Sequence, residues 1–397
     1  MSRRKRSRMY GYLLIALVLV ASAETISYVG MTYFIQPRDT SAFFETPKIE
    51  RSAFERYVRR RDGLLGWPAP SAFGGEGFDV SGSRPIPAFP KIGSECISLY
   101  GNSFTYGAEV TDAEAWSNVL SKKIGCRVAN YGVIGYGTDQ AYLRFRGNTK
   151  DASKLVILGI FATNLMRNIN QYQYFINGFS TFSLKPRFVL KNDKLQLIEL
   201  PKLTYNQLME SFSEPRKYFK HEALMVGTPT GPQRMSFPYS FVLINYVASD
   251  RLQNWLAGRP SWVDFYSSSH PSRALQITAR IVEQFRATAS QRNKRMLVVI
   301  FPTRGSMSHY EKTGTMATRP LAALLAKRGV KTLDLHGPLS KRLGRRSYCT
   351  ILAKREACAG HFNAEGNRLV AEIVQSYLKK IQEPDPVAPI FTRRSSR

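Results

Sequence analysis

Hydrophobic and polar positions sort this chain into a membrane-length apolar stretch near its start and a body in which short apolar runs alternate with amphipathic segments. The first stretch covers residues 10–35, is broken only by Glu24, and follows Arg3, Arg4, Lys5, Arg6 and Arg8. Roughly 20 apolar residues cross a bilayer, and a flanking basic cluster stays on the cytoplasmic side. Residues 1–9 are therefore expected to form a basic cytoplasmic tail and 10–35 a transmembrane anchor. The alternative is a cleaved signal peptide, for which Ala21-Ser22-Ala23 supplies small residues at a cleavage site. The apolar residues of 26–35 favour the anchor, because a mature secreted chain would have to bury them. Either way the body lies outside the cytoplasm.

In the body, apolar runs at 96–100, 127–129, 155–160, 296–301 and 330–335 have strand length. Helical patterns cover 275–292, 320–327 and 363–380, and another runs from the Thr111-x-x-Glu114 capping box to about Gly125. Strands alternating with helices predict a parallel sheet covered on both faces. Two stretches fall outside the alternation. Residues 36–93 are rich in Pro, Gly, Ser and charge, with Asp62-Gly63-Leu64-Leu65-Gly66-Trp67 as one compact island, and read as an extended linker lying along the domain. Residues 165–272 read as an insertion carrying Tyr172, Tyr174, Phe175, Phe179, Phe182 and Phe188 and a hairpin pattern around Lys191-Asn192-Asp193-Lys194. Such an insertion would stand over the sheet edge as a lid or acceptor platform, although aromatic clusters also make ordinary core. Residues 94–381 then form one α/β domain, and 382–397 hold too little apolar content to pack and are expected as a mobile tail.

Open α/β sheets place their chemistry at the carboxyl ends of the strands. The first strand ends in Gly101-Asn102-Ser103, and the second is followed by Asn130-Tyr131-Gly132-Val133-Ile134-Gly135-Tyr136-Gly137. Phe161-Ala162-Thr163-Asn164 follows the third, and Gly360-His361-Phe362-Asn363 precedes the last helix. In this order the four blocks resemble those of the SGNH (GDSL-like) hydrolase family, over roughly residues 97–377. The resemblance implies a three-layer α/β/α sandwich of flavodoxin-like type and serine esterase chemistry. It implies Ser103 as nucleophile, His361 as base, and an oxyanion hole made by the backbone N–H groups of Ser103 and Gly135 with the amide of Asn164. The stretch Leu184-Lys185-Pro186-Arg187-Phe188-Val189-Leu190 is also similar to one in membrane-anchored bacterial members, which implies an inner-membrane protein with a periplasmic catalytic domain.

The chemistry asks for these residue types in its own right. A serine hydroxyl becomes a useful nucleophile when a neighbouring base takes its proton, and N–H donors stabilise the oxyanion that forms. Two positions depart from the family pattern. Asn102 stands where an aspartate is usual, a change expected to alter loop hydrogen bonding. Cys358 stands three residues before His361, where members commonly carry an aspartate that orients the imidazole, a role no thiol can fill. One expectation is a Ser103–His361 dyad, its ring oriented by a backbone carbonyl or another acid such as Glu356 and titrating near the reference value of about 6.5. The other is a domain that kept the fold and lost catalysis, serving as a glycan-binding or scaffold protein of an envelope assembly. His221, His270 and His309 show no site spacing, and His336, after the fifth apolar run, is the competitor for the base.

Composition narrows partners rather than fold. The 397 residues, 43% hydrophobic and 22% charged, can bury a sizeable core. A net charge of +28 favours an anionic membrane surface or acidic polysaccharide, with nucleic acid last because no base-stacking module or zinc-finger spacing is present. No P-loop, dinucleotide fingerprint or metal-ligand spacing occurs, so no cofactor or metal is expected. Four cysteines in an exported chain allow three pairings; Cys96–Cys126, heading neighbouring strands, and Cys349–Cys358, close in sequence, are the expected bridges. The expected substrate is an acyl ester, acetyl first, on an envelope or extracellular carbohydrate. Hydrolysis and acyl transfer both stay open, since they differ only in what resolves the acyl-enzyme.

Overall fold

The structure, a computed structural model, describes residues 3–382 apart from 40–41, 76, 178–181 and 229. Helix α1 (Arg3–Val29) continues through a wider helical segment, Gly30–Ile35, and α2 (Arg51–Arg60) follows. Strand β1 (Glu95–Gly101) leads through the short α3 (Ser103–Tyr106) and α4 (Trp116–Ile124) to β2 (Arg127–Asn130). Helix α5 (Thr138–Gly147) returns to β3 (Leu155–Phe161). After α6 (Asn164–Asn168) comes the insertion, with a hairpin of β4 (Arg187–Lys191) and β5 (Lys194–Ile198) and the helix α7 (Tyr239–Val247). The sheet resumes with α8 (Ala274–Gln291), β6 (Arg295–Phe301), α9 (Arg304–Thr313), α10 (Arg319–Lys327), β7 (Thr332–Asp334) and α11 (His336–Leu343). A small antiparallel pair, β8 (Leu352–Lys354) and β9 (Ala359–Phe362), precedes the closing helix α12 (Ala364–Gln382).

The central sheet has the order β2-β1-β3-β6-β7, every pairing parallel. β3 is buried along its whole length, as a strand covered by helices on both faces must be. Side chains alternate between the faces. Tyr100, Val156, Leu158 and Ile160 pack with Leu143 and Phe145 of α5 and Phe285 of α8. Leu99, Ile157, Val299 and Phe301 pack with Trp116 and Leu120 of α4 and Val370 and Val374 of α12. The result is a three-layer α/β/α sandwich whose strands all end at one edge.

Several sequence expectations change. The Thr111–Glu114 pair closes a turn, with the Thr111 hydroxyl donating to Glu114 Oε2 at 2.8 Å, and α4 starts only at Trp116. The chain must first wrap Trp116, whose indole N–H donates to the carbonyls of Phe104 (3.1 Å) and Thr105 (3.0 Å). The supposed linker is folded: Phe44, Ile49 and Phe54 of α2 and its approach share one core with Tyr172, Tyr174, Phe175, Phe212 and Phe219 of the insertion. Most of the aromatic residues singled out in the insertion are thus core, with Tyr172 fully buried, while Phe179 lies outside the described residues. α12 runs to Gln382, and the expected tail beyond it, 383–397, also lies outside them. The fifth strand is shorter than its apolar run, spanning Thr332–Asp334.

Both cysteine pairs are bridged, Cys96 to Cys126 and Cys349 to Cys358, with Cα–Cα separations of 6.1 and 4.6 Å. Residues Arg8–Ile35 form a helix long and apolar enough to cross a membrane. Ile26, Tyr33 and Phe34 are 62–69% exposed while Met31 is buried, so the folded domain covers one side of this stretch and leaves the other uncovered.

Candidate active site

At the carboxyl end of β1 the chain turns directly into α3. Asn102 caps it, its Oδ1 accepting the backbone N–H groups of Phe104 (2.9 Å) and Thr105 (3.4 Å), which sets Ser103 in the first turn. Ser103 is nearly buried, and its hydroxyl lies 2.8 Å from Nε2 of His361 on β9. The two residues are 258 positions apart, so the hairpin carrying His361 must be held firmly. Asn363 Nδ2 donates to the carbonyls of Thr350 (2.9 Å) and Leu352 (3.2 Å), and the Cys349–Cys358 bridge closes the segment between. Loop-closure entropy alone makes such a bridge worth about 2.5 kcal/mol. Phe104 packs against the imidazole at 4.9 Å between ring centroids.

The acid absent from position 358 comes from elsewhere. Glu109, six residues after Ser103, presents Oε2 to His361: 2.6 Å from the backbone N–H, which donates to it, and 3.3 Å from Nδ1. The Nδ1 contact lies out of line for a hydrogen bond, so it is a charge contact that a modest ring rotation would convert into one. Local backbone is bent to allow the meeting. Glu109 and Cys358 both adopt left-handed conformations, at φ 69° and 47°, which non-glycine residues hold only at a cost of about 1–2 kcal/mol each. Gly360 (φ 85°) has no side chain because a Cβ there would stand 2.5 Å from Glu109 Oε2. Of the groups left open to orient the His361 ring, a backbone carbonyl or another acid, the one beside it is the Glu109 carboxylate. Glu356, the acid offered by the sequence, is exposed on the hairpin turn, with no hydrogen bond to His361 among the described residues.

Burial pushes the His361 pKa down, the Glu109 carboxylate beside it pulls it up, and the positive charge of Arg167 pushes it down again; the net lies below the ordinary 6.5. Glu109 is raised by partial burial but lowered further by the His361 N–H and its charge, so it is ionised at neutral pH. Neutral imidazole is the form that accepts the serine proton, and a lowered pKa keeps that form populated in mild acid. The acidic limb of kcat/KM for an aryl acetate is accordingly expected to have its midpoint below 6.5, with a plateau from neutrality upward. A profile from pH 4.5 to 9 checks this; a midpoint at or above the reference value would mean that Glu109 outweighs burial.

The other residues singled out in the sequence lie on the adjoining strand ends. Asn164 opens α6, its Oδ1 accepting Asn102 Nδ2 (2.7 Å) and the Phe161 N–H (2.8 Å). Its Nδ2 gives one hydrogen to the Tyr136 carbonyl at 3.2 Å and carries a second. Asn102 thus does more than alter the loop: an aspartate there could cap α3 but could not donate to Asn164. Gly135 is left-handed at φ 86°, and the peptide before it is clamped, the Trp67 indole donating to the Ile134 carbonyl at 2.8 Å. Carbonyl and N–H of one trans peptide point oppositely, so the Gly135 N–H faces away from Trp67. The Asp62–Trp67 island, read as part of a linker, is what orients this peptide; Tyr136 in turn donates its hydroxyl to the Trp67 carbonyl at 2.6 Å.

His336, the competing base, has partners the sequence did not reveal: Nδ1 lies 2.6 Å from Asp334 Oδ1 and Nε2 lies 2.8 Å from Ser306 Oγ. This is a Ser-His-Asp array, but Ser306 and His336 are both fully buried, so no substrate reaches it. It ties α9 and α11 to the end of β7. The Leu184–Leu190 stretch is also structural. Lys185 is buried and paired with Asp139 of α5, and the Arg187 guanidinium donates to the Ile169 carbonyl at 2.5 Å, locking the insertion to α5 and to the end of α6.

No protein-family model matches the chain, and no curated protein does. Solved structures do. The chain is similar to a protein described as lipolytic and of the G-D-S-L family from Desulfitobacterium hafniense, at 11% identity over 70% of this chain and 97% of that one, TM-score 0.36. It is similar to a two-domain esterase active on acetylated mannans, at 11% identity over 74% of this chain and 52% of the other, TM-score 0.35. A carbohydrate esterase is similar at 11% identity over 75% and 68% of the two chains, TM-score 0.31. At such scores none of these likenesses bears on the chemistry of this chain, which stands on the residues above.

Proposed function

We propose that this chain is an exported, α1-anchored serine esterase or O-acyltransferase acting on ester-linked acyl groups, acetyl first, of an envelope or extracellular carbohydrate. The observation that carries the reading is the Ser103–His361–Glu109 relay at the carboxyl edge of the sheet. Ser103 Oγ attacks the acyl carbonyl while His361 Nε2 takes its proton, and Glu109 stabilises the imidazolium. The Ser103 and Gly135 N–H groups and the second hydrogen of Asn164 Nδ2 receive the oxyanion. His361 then protonates the leaving alkoxide, and water or a sugar hydroxyl resolves the acyl-enzyme. The carbohydrate is supported by the family resemblance together with an exported location, and the net charge of +28 suits an acidic polysaccharide or an anionic membrane surface.

Two disulfides and the partly uncovered apolar stretch 26–35 support export with the anchor retained. The alternative of a silent glycan-binding protein drew its support from the missing acid, and Glu109 removes that support. A fluorophosphonate probe incubated with the full-length protein in detergent is expected to label Ser103, located by peptide mass. Folded protein that stays unlabelled would return the case to the binding-protein reading.

A further inference from the structure

Glu24 is the one charge in the long apolar stretch of α1, and the structure gives it a partner far away in sequence. Its carboxylate accepts the backbone N–H groups of Tyr239 and Ser240 and the Ser240 hydroxyl, so it caps the N-terminus of α7 from outside. Other contacts continue the seam. Tyr28 packs on Tyr239 at 5.0 Å between centroids, and Met31 is buried in a cluster with Phe43, Val242 and Tyr246. α7 is itself unusual for a surface helix. Residues 235–249 carry no charged side chain, and Phe237, Phe241, Ile244 and Val247 are 51–70% exposed. Phe241 and Ile244, at i and i+3, form a stripe along one face of α7, and Phe237 lies just before the helix. Soluble proteins rarely leave so much contiguous apolar surface in water.

The position of Glu24 along α1 says what covers that stripe. A span of roughly 20 residues starting at Tyr10 ends near Val29. Glu24 comes nearly one and a half turns earlier and lies about 8 Å inside the hydrocarbon boundary. A carboxylate at that depth needs donors, and those it has are the first N–H groups of α7, at the positive end of that helix. The contact therefore draws the start of α7 to the same depth. We infer that α7 is a second membrane element, lying in the outer leaflet beside α1 with its Phe241–Ile244 stripe in lipid and Glu24 as the clasp. The inference rests on the anchored reading of α1. It ties the insertion that follows β3, and with it the catalytic edge, to the bilayer surface at two points instead of one.

All native cysteines are paired, so an introduced thiol is unique. Phe241→Cys and Ile244→Cys in the full-length protein, spin-labelled in nanodiscs of phosphatidylethanolamine and phosphatidylglycerol, are tested for collision with oxygen and with a water-soluble nickel chelate. Val18→Cys in α1 reports on the anchor, and Lys194→Cys on the exposed β4–β5 turn reports on water. Labels at 241 and 244 are expected to behave like the one at 18, with an oxygen-to-nickel ratio several-fold above that at 194. Water-like behaviour at 241 and 244 with a lipid-like label at 18 overturns the inference and leaves the anchor standing. Water-like behaviour at 18 overturns the anchor itself, and with it the inference. Protection from both reagents at 241 and 244 means that a second copy covers the stripe, which also overturns it.

Discussion

Ser103→Ala is expected to lower kcat for an aryl acetate on the order of a million-fold, the loss seen when the nucleophile is removed from a working serine relay. The hydroxyl has one strong partner, His361 Nε2 at 2.8 Å, and sits nearly buried at the edge where β1 ends. Removing it deletes the attacking atom while leaving the cap of α3, which Asn102 supplies. The stability change should be about 1 kcal/mol, the worth of one hydrogen bond, so the thermal midpoint moves by a few degrees at most. Steady-state rates and a melting curve on the same preparations decide it. A folded variant retaining a tenth of wild-type activity would move the nucleophile elsewhere.

Glu109→Gln is the second large effect. The substitution keeps an oxygen to accept the His361 backbone N–H but removes the charge that faces Nδ1 at 3.3 Å. Where a full triad operates, the equivalent loss approaches 10,000-fold in kcat. Here a drop of about 100- to 10,000-fold is expected, the lower end applying if the out-of-line Nδ1 contact tightens little in the reacting complex. The pH profile separates this from a packing effect. The carboxylate raises the His361 pKa, so its removal must shift the acidic limb further down, beyond the lowering that burial already causes. Glu356→Gln serves as the control and should match wild type. A Glu109→Gln variant within twofold of wild type, with an unmoved limb, would return the site to a dyad.

Much of the architecture was legible because it is periodic. The runs that became β1, β3 and β6 are mostly apolar where they face a helix layer, the buried Ser98 of β1 excepted, and the amphipathic pattern of α8 and α12 shows which side each turns inward. The linker was misread for the opposite reason. Phe44, Ile49 and Phe54 stand five residues apart, a spacing that fits neither the strand period nor the helix period, and their partners lie more than a hundred residues away in the insertion.

The candidate site divides along the same line. Ser103 and His361 stand in short blocks at strand and helix ends, where local turn residues mark a change of direction, so sequence alone could nominate them. It could not supply Glu109. That residue carries no periodic or motif signal, and it reaches the base only because 252 residues of intervening chain fold back and two left-handed residues, Glu109 and Cys358, bend the backbone at the meeting point. Nor could it separate the two relays. Ser306–His336–Asp334 and Ser103–His361–Glu109 offer similar hydrogen-bonding groups, and what distinguishes them is the exposure of the imidazole, 0% for His336 against 26% for His361, a property of the assembled layers. By itself the sequence determined where strands end and where an apolar helix could enter a membrane, since both follow from local composition. Only the tertiary structure decided which acid meets His361, which of the two imidazoles reaches the surface, and which groups Glu24 binds, because each depends on groups brought together from distant parts of the chain.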